Sequence, residues 1–534
     1  MIWIAIILSL GIVCGVVMLV RMRRSKPWLL QYFSFKFSRP RLRVKAGAPT
    51  HVMFLYVDHF EPKENTRDVS VQKARMQQWL EHYPAMASRH RDADGCPPKH
   101  SWFYLVEEWQ TEKDDLAFLQ QLAHLSYDGL GEVELHVHHG RGWHIFPDID
   151  TAEKLTEQIE RLKRLYRQTG ALITAARAPQ SFYGFIHGKW ALDNSAHGLY
   201  CGVDQELEIL RRTGCYADFT MPSGHGATQS RKINSIYYAP TRQRRNKNHD
   251  WGEDVRAGDS ASKDERRMMI FQGMLEVYLH RLFSGKSVVE KSNLDFHDLP
   301  SPERIDQWLR CNIHLPGRPD WVFVKVHTHG GREENFEVCF GDHADMMHSY
   351  LEERYNDGNR FKLHYVSARE AYNLVKAAEA GMSGDPNQYR DFLIPPYANL
   401  RIKTDALYEL ATFTPKHMAL DLLDNIARTH AFEFKHPVLQ KIEVQGVRSF
   451  SFETGNQPQL RLQHEGMPQI KLATAKYEMT LQTSAHGVAH LTRVERSTQE
   501  EIEETFLITD AELELELWPA ATGFAREAER LVER

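Results

Sequence analysis

Short apolar runs alternate with amphipathic helical patterns along the middle of the chain. Each run is rich in β-branched and aromatic residues and ends at turn or polar residues, which is typical of strands. The runs lie at 51–57, 101–106, 132–138, 171–177, 216–221, 321–327 and 362–367. Between them, residues 151–170 and 366–381 have helical periodicity and end in glycine. The alternation predicts parallel βα units, and seven strands favour a distorted (β/α)7-type barrel over an open doubly wound sheet.

Changes in this pattern give the domain boundaries. Residues 50–400 are predicted to form the barrel, with residues 222–320 as an insertion that contains a polar loop and a helix at 266–283. Residues 401–534 have short segments in which apolar and polar positions alternate, followed by a charged helical pattern. We expect a small antiparallel β-domain with a helical tail there. Its segments show no aromatic cluster, so a structural or interaction role is favoured over carbohydrate binding.

The first 20 residues are almost wholly apolar and carry no charge. That length crosses a bilayer as a helix, and the basic start and small-residue end of a signal peptide are absent. Residues 1–20 are therefore predicted to be a transmembrane anchor. Residues 21–49 form a basic linker without Asp or Glu. The positive-inside rule then predicts a single-pass inner-membrane protein whose soluble part faces the cytoplasm, with the periplasm as the alternative.

Composition narrows the classes of function. A chain of 534 residues with 42% hydrophobic and 26% charged residues can fold into two or three globular domains. The net charge of -5 argues against a dedicated nucleic-acid binder. Six cysteines without a CxxC pair fit a reducing compartment or no redox role. The 28 histidines make chance clusters more frequent, so the position of each one matters.

Histidines and acids collect where the predicted strands end, which is where barrel enzymes place their chemistry. Asp58 and His59 end the first strand, and His136 and His138 end the third. Residues i and i+2 of a strand point to the same side, so the latter two can bind one ion. His59 or Asp58 could supply the third ligand. A divalent metal, zinc foremost, is the expected cofactor; the alternative is that these histidines only pack and hydrogen-bond inside the fold.

The order of the motifs resembles that of the NodB-type polysaccharide deacetylases, also called carbohydrate esterase family four. YVDHFEP stands at the family's acidic pair, ELHVHHG at its metal histidines, and Arg177 in an R-x-P turn. GCYADFTMPSG with Asp218 and WVFVKVHTHGG with His327 follow in family order. His59 replaces the family's metal-binding aspartate, and the usual i, i+4 spacing of the two histidines is absent. YGFIHGKWALDNS and FKLHYVSAREAYN also resemble a less-characterised bacterial group associated with surface-polysaccharide genes, in which an acid more often replaces Gly140.

This resemblance implies a membrane-anchored, metal-dependent deacetylase that hydrolyses acetyl amides or esters of a surface polysaccharide or its lipid-linked precursor. Asp58 would be the general base, Arg177 would orient it, and His327 would protonate the leaving group. The implied metal ligands are His59, His136 and His138, and the implied sugar contacts are His187, Trp190, Asp193 and Asp218. His329 and His364 are interpreted as structural neighbours.

Two other classes of function stay open. A catalytically inactive relative would act as a membrane scaffold for polysaccharide-biosynthesis proteins. An amidohydrolase or phosphoesterase would also use histidines at strand ends, but amidohydrolases usually carry H-x-H after the first strand, and here it follows the third. The expected partners are a carbohydrate substrate and the membrane, with no nucleic acid.

Overall fold

The structure of the chain is a computed structural model. It describes residues 27–38, 48–106, 112–139, 151–172, 182–200, 203–222, 224, 226–259, 266–278, 288–394, 396–397, 400–402, 412–414, 417–421, 427, 429–436, 438–453, 458–484 and 487–517. The chain separates into two compact units. The first comprises residues 1–108, 129–160 and 182–394, and the second comprises residues 109–128, 161–181 and 395–534.

Strands and helices alternate from residue 50 to residue 218, and five strands then follow one another before the next α-helix among the described residues. The strands are β1 (Thr50–Phe60), β2 (His100–Leu105), β3 (Gly131–Val137), β4 (Tyr183–His187), β5 (Cys215–Asp218), β6 (Ile236–Pro240), β7 (Glu253–Asp254), β8 (Arg267–Phe271), β9 (Glu276–Val277), β10 (Val289–Glu290), β11 (Trp321–Thr328) and β12 (Phe361–Val366). The helices are α1 (Pro27–Ser38), α2 (Val69–Ala87), α3 (Glu112–Tyr127), α4 (Ala152–Gln168), α5 (Glu206–Arg212), α6 (Pro302–Cys311), α7 (Phe336–Cys339), α8 (Asp342–Tyr355) and α9 (Ala368–Glu379).

The first unit is built on one ten-stranded mixed sheet. Its strand order is β11-β1-β2-β3-β4-β5-β8-β6-β7, and β12 also pairs with β1. Strands β1 to β5, β8, β11 and β12 pair in parallel, whereas β6 is antiparallel to β7 and β8. Every residue of β1 and β11 is buried, as expected for parallel strands covered on both faces. The sequence of α9 begins with a capping box between Ser367 and Glu370.

The prediction of a (β/α)7-type barrel is wrong, because the sheet is open. The outer edge of β11 pairs with irregular chain instead of a strand: the Leu294 amide donates to the His327 carbonyl, and the His327 amide donates to the Ser292 carbonyl. The buried side chain of Lys325 extends from β11 towards the ends of β5 and β8. Its ammonium donates hydrogen bonds to the carbonyls of Phe219, Met221 and Phe271. A side chain therefore bridges strands that a closed barrel would join by a ladder of backbone hydrogen bonds.

Two local predictions are also corrected. The helix expected at 266–283 is wrong where the structure describes it, because residues 267–271 form β8 and residues 276–277 form β9. Periodicity cannot separate a buried strand from a helix in so apolar a run. The fourth strand of the sheet is β4, which the sequence did not predict. The expected strand at 171–177 begins in a turn, and its residues 173–177 lie outside the described part of the chain.

The predicted membrane anchor, residues 1–20, lies outside the described residues. Among the helices that are described, none is long and apolar enough to cross a bilayer.

The second unit contains an antiparallel sheet. Its strands are β13 (Leu400–Ile402), β14 (Thr412–Thr414), β15 (His417–Asp421), β16 (His430–Phe434), β17 (Leu439–Glu453), β18 (Gln459–Thr474), β19 (Tyr477–Thr483), β20 (Val488–Glu495), β21 (Glu501–Leu507) and β22 (Glu512–Glu516). The alternating burial along β17 and β18 places one face of each strand in an apolar core. The predicted helical tail lies outside the described residues.

Candidate metal centre

Three side chains converge at the ends of β1 and β3, and we call them the Glu61 group: Glu61, His136 and His138. The Glu61 Oε1 atom lies 2.8 Å from His136 Nε2 and 3.4 Å from His138 Nε2. The two Nε2 atoms are 3.0 Å apart. Ligands of tetrahedral zinc are separated by about 3.3 Å when the metal–ligand bonds are about 2.05 Å long. The donor set and its spacing therefore fit a zinc-like divalent cation.

Hydrogen bonding sets the ring orientation of His136. Its Nδ1 lies 2.9 Å from the Ile186 carbonyl oxygen, which can only accept, so Nδ1 carries a hydrogen. In the neutral ring, Nε2 then carries no hydrogen and directs its lone pair at the Glu61 carboxylate. Both Nε2 and the carboxylate oxygen are therefore hydrogen-bond acceptors. Two acceptors 2.8 Å apart repel unless a proton or a cation lies with them. A carbonyl that fixes the far nitrogen is a typical outer partner of a metal-binding histidine.

A second set of donors shares the same carboxylate. His59, Glu61 and His329 place one donor atom each within 4.8 Å of one another. The rings of His59 and His329 stack with their centroids 4.7 Å apart, and the ring of His59 meets that of His136 edge-on at 5.0 Å. Burial, with a contribution from His329, holds the pKa of His59 well below its usual value. The ring of His59 is therefore neutral near pH 7, which is the form that binds metal.

The pKa values of the Glu61 group favour the ligand forms as well. Burial lowers the pKa of His138 to about 4, against the raising effect of Glu61. Burial acts to raise the pKa of Glu61, but His138 and His136 hold it well below its usual value. The group thus combines an ionised carboxylate with neutral imidazole at His138. The Glu61 and His138 side chains each keep 9% of their surface exposed, so the group is reached from solvent.

Asp58 is fully buried beside this group. Its Oδ2 lies 2.8 Å from His100 Nε2, and its Oδ1 accepts the Gly330 amide hydrogen at 2.6 Å. The carboxylate thereby ties β1 to β2 and to the loop that carries His329. The predicted role of Asp58 as a general base stays a prediction, since two hydrogen bonds already engage the carboxylate.

His327 lies at the end of β11 and is 2% exposed. Neither of its ring nitrogens has a hydrogen-bond partner among the described residues. Burial is the main reason that its pKa is well below the usual value. The ring meets Trp190 edge-on at 6.5 Å, and Trp190 meets His59 at the same distance. The structure therefore brings the predicted acid His327 and the predicted sugar contact Trp190 next to the predicted ligand His59.

The other predicted sugar contacts are buried. Asp193 Oδ2 accepts hydrogen bonds from the amide and the side chain of Asn248. Asp218 Oδ1 accepts from the Thr220 hydroxyl at 2.5 Å, and burial raises the pKa of Asp218. Their contacts with a substrate stay predictions.

His187 lies with His139 and Glu206, which share no residue with the Glu61 group, and we call these three residues the Glu206 group. Burial lowers the pKa of His187 to about 3. Burial acts to raise the pKa of Glu206, but His187 and His139 bring it down to about 2. Several His, Asp and Glu groups in this unit could therefore hold a metal ion, including both groups defined here.

Two positions of the predicted site cannot be placed. Arg177, the predicted partner of Asp58, and Gly140 both lie outside the described residues.

Sequence reasoning missed four participants: Glu61, His100, Glu206 and the ligand role of His329. Glu61 had a signal, because β1 continues to Phe60 and Glu61 stands at i+2 from His59. The other three reach the site through pairing and packing that no local pattern indicates.

Comparison with known proteins adds no relative. No protein-family model matches this sequence, and no curated protein is similar to it. The resemblance to polysaccharide deacetylases therefore depends on the motifs themselves.

Proposed function

We propose that this chain is a metal-dependent hydrolase that removes acetyl groups from an acetylated carbohydrate. The observation that carries the proposal is the convergence of Glu61 Oε1, His136 Nε2 and His138 Nε2 within 3.4 Å of one another. Three protein donors that leave room for further ligands are the pattern of catalytic zinc sites.

The residues of the Glu61 group would hold the cation, and the Ile186 carbonyl would keep His136 in the correct tautomer. A divalent cation in this place supplies Lewis acidity, which polarises an acyl carbonyl and makes water more acidic.

His327 is the best candidate for proton transfer to or from the reacting groups. It is neutral, buried, and free of hydrogen bonds to the described residues, so a substrate does not have to displace an existing partner. The proximity of Trp190 to His327 and to His59 supports a sugar ring stacked on the indole face. Asp58 would act by positioning the loop at Gly330, with its role as a base as the alternative.

The resemblance supports acetyl amides or esters of a surface polysaccharide, or of its lipid-linked precursor, as the substrate class. We include location at the inner membrane and contact with polysaccharide-biosynthesis proteins in the proposal, because residues 1–20 are apolar and residues 21–49 are basic. Fractionation of cells that express the full chain tests the location; recovery only in the soluble fraction would contradict it.

The activity test uses the purified full chain loaded with Zn²⁺. Release of acetate is measured from N-acetylglucosamine oligomers and from acetylated xylan. We expect acetate release that EDTA abolishes. The rate of release should fall at least about 100-fold in Glu61→Gln and in His136→Ala, because each variant loses a direct metal ligand and the loss of an outer partner alone costs about 10- to 100-fold.

The matched controls are Glu503→Gln and His490→Ala, which change exposed residues of the second unit. They should keep the activity and the metal content of the wild type. A wild type that binds metal at the Glu61 group but releases no acetate from either substrate would overturn the deacetylase proposal and favour the scaffold. Absence of metal at this group would overturn the hydrolase proposal as a whole.

A further inference from the structure

The Glu206 group is assembled from three separate elements. His139 follows β3, His187 is the last residue of β4, and Glu206 is the first residue of α5. All three side chains have 0% exposure. A buried carboxylate with two imidazoles is costly to desolvate unless the group is compensated inside the protein.

The three donor atoms have nearly the spacing of the Glu61 group. His139 Nε2 lies 2.8 Å from Glu206 Oε1 and 3.0 Å from His187 Nε2. His187 Nε2 and Glu206 Oε1 are 3.6 Å apart. These distances lie on either side of the edge of about 3.3 Å expected between ligands of tetrahedral zinc.

Outer hydrogen bonds direct these donors inward. His187 Nδ1 lies 2.6 Å from the Gly188 carbonyl oxygen, so it carries the hydrogen and leaves Nε2 as a lone pair in the neutral ring. Glu206 Oε2 accepts the Asp193 amide hydrogen at 2.7 Å, which leaves Oε1 facing the two rings. Both features are typical outer partners of metal ligands.

The remaining nitrogen of the group has a different environment. His139 Nδ1 is buried and has no hydrogen-bond partner within the described part of the chain. If His139 donates its single hydrogen from Nε2 to Glu206, then Nδ1 is an uncompensated buried acceptor. If the hydrogen is on Nδ1 instead, Nδ1 is an unsatisfied donor and the lone pairs of His139 Nε2, His187 Nε2 and Glu206 Oε1 face one another. A cation between these three lone pairs compensates their repulsion.

A third group, around His364, has its carboxylate charges compensated by a protein side chain. His364 Nδ1 lies 2.7 Å from Asp94 Oδ2, and the Arg390 guanidinium donates to Asp92, Asp94 and Glu370. Arginine supplies the cation there, so the geometry of that group is explained by ion pairs.

We infer that His139, His187 and Glu206 bind a second divalent cation, zinc or a metal of similar preference, in a buried site distinct from the Glu61 group. Because none of the ligand surface is exposed, the ion would stabilise the fold and would not contact a substrate, and the fourth position of a tetrahedral ion is left to a donor outside these three residues. The metal joins the ends of β3 and β4 to the start of α5, and so stabilises the end of β3, which carries His136 and is followed directly by His138.

The test counts metal in the full chain after loading with Zn²⁺ and removal of unbound ion. Mass spectrometry of the elements should give two zinc ions per chain in the wild type, one in Glu61→Gln, and one in Glu206→Gln. Co²⁺ loading of Glu61→Gln should give the intense visible absorption of tetrahedral cobalt. Glu503→Gln is the control and should keep two.

The metal counts distinguish failure of the second site from failure of the hydrolase proposal. A Glu61→Gln variant without metal would overturn the second site and leave the hydrolase proposal intact. One metal that persists in Glu61→Gln but is absent from Glu206→Gln, in a wild type that also holds only one, would overturn the hydrolase proposal and support the second site.

Glu206→Gln could lose metal because it fails to fold, so a second measurement uses the unchanged protein. Crystals of zinc-loaded wild type measured at the zinc absorption edge should show an anomalous peak between His139, His187 and Glu206. No peak there, with a peak at the Glu61 group, would overturn the inference.

Discussion

At the scale of single residues, the bond between Asp58 and His100 determines how the first strand supports the site. Both side chains have 0% exposure, and Trp79 connects them to the same loop by donating from its indole nitrogen to the Gly330 carbonyl at 2.8 Å. The ring of Trp79 lies 4.8 Å from that of His100. Trp79 is one of eleven tryptophans, so its surroundings contribute to the tryptophan fluorescence of the chain.

We predict that Asp58→Asn destabilises the protein by about 1–3 kcal/mol, because the amide presents a donor where His100 Nε2 also donates. The free energy of unfolding in urea, followed by tryptophan fluorescence, measures this loss. Asp58→Asn combined with His100→Gln should cost less than the sum of the two single changes, since the residues are coupled.

The exposed Asp510 provides the control for that change, and Asp510→Asn should have the stability of the wild type. A stable Asp58→Asn variant with normal metal content and a kcat reduced about 10²-fold or more would instead support a role as the general base.

The buried His51 links stability to pH. Its Nδ1 lies 2.8 Å from His364 Nε2, and burial, with a contribution from His364, lowers its pKa from 6.5 to about 4. Between these values the unfolded chain binds a proton that the folded chain does not. The contribution of His51 to stability is therefore complete above pH 6.5 and falls as the pH decreases towards about 4.

We predict that the urea midpoint falls between about pH 7 and about pH 5, and that His51→Gln reduces this dependence because glutamine does not titrate. His297→Gln, at an exposed position, should leave the dependence unchanged. An equal dependence in His51→Gln and the wild type would contradict the assignment to His51.

At the scale of elements, the junction after β4 sets the position of His138. A Cβ atom on Gly188 would lie 2.1 Å from Cδ2 and 2.5 Å from Nε2 of His138. An imidazole ring cannot yield by bending, so the whole side chain has to move. Only glycine lets the chain after β4 pass this close to the candidate ligand His138.

We predict that Gly188→Ala weakens zinc binding at the Glu61 group by about 10- to 100-fold, the usual effect of disturbing ligand orientation. Titration against a competing chelator measures the affinity. Gly226→Ala, whose Cβ would meet only Gln229 Cγ at an ordinary 3.6 Å, is the control. Equal affinities in the two variants would show that His138 is not a ligand.

The two strands beside this junction, β3 and β4, differ in how well the sequence predicts them. The alternation in residues 132–138 predicted β3 and paired His136 with His138, because a period of two is a local property. The strand β4, three of whose residues pair with β3, was not predicted, since it has only five residues, contains Gly184 and is followed directly by Gly188. The prediction that the sheet closes into a barrel was wrong because residues of the insertion cover the edge of β11. This contact depends on tertiary structure, which the local sequence pattern does not indicate.

At the scale of the whole molecule, all residues of both candidate metal groups belong to the first compact unit. A cation that binds only the folded chain stabilises it in proportion to the logarithm of metal concentration over Kd, by about 2.7 kcal/mol at 100 times Kd. This stabilisation should be confined to the segments that the metal joins.

We predict that removal of metal by EDTA speeds amide hydrogen exchange in β3, β4 and α5, because local opening there no longer has to release the ion. Peptides from β17 and β18 in the second unit serve as the internal control and should exchange at the same rate with and without metal. Mass spectrometry of both states measures every segment in one experiment. Faster exchange along the whole chain would indicate global destabilisation, whereas no change in β3 and β4 would show that neither group holds a metal that stabilises the fold.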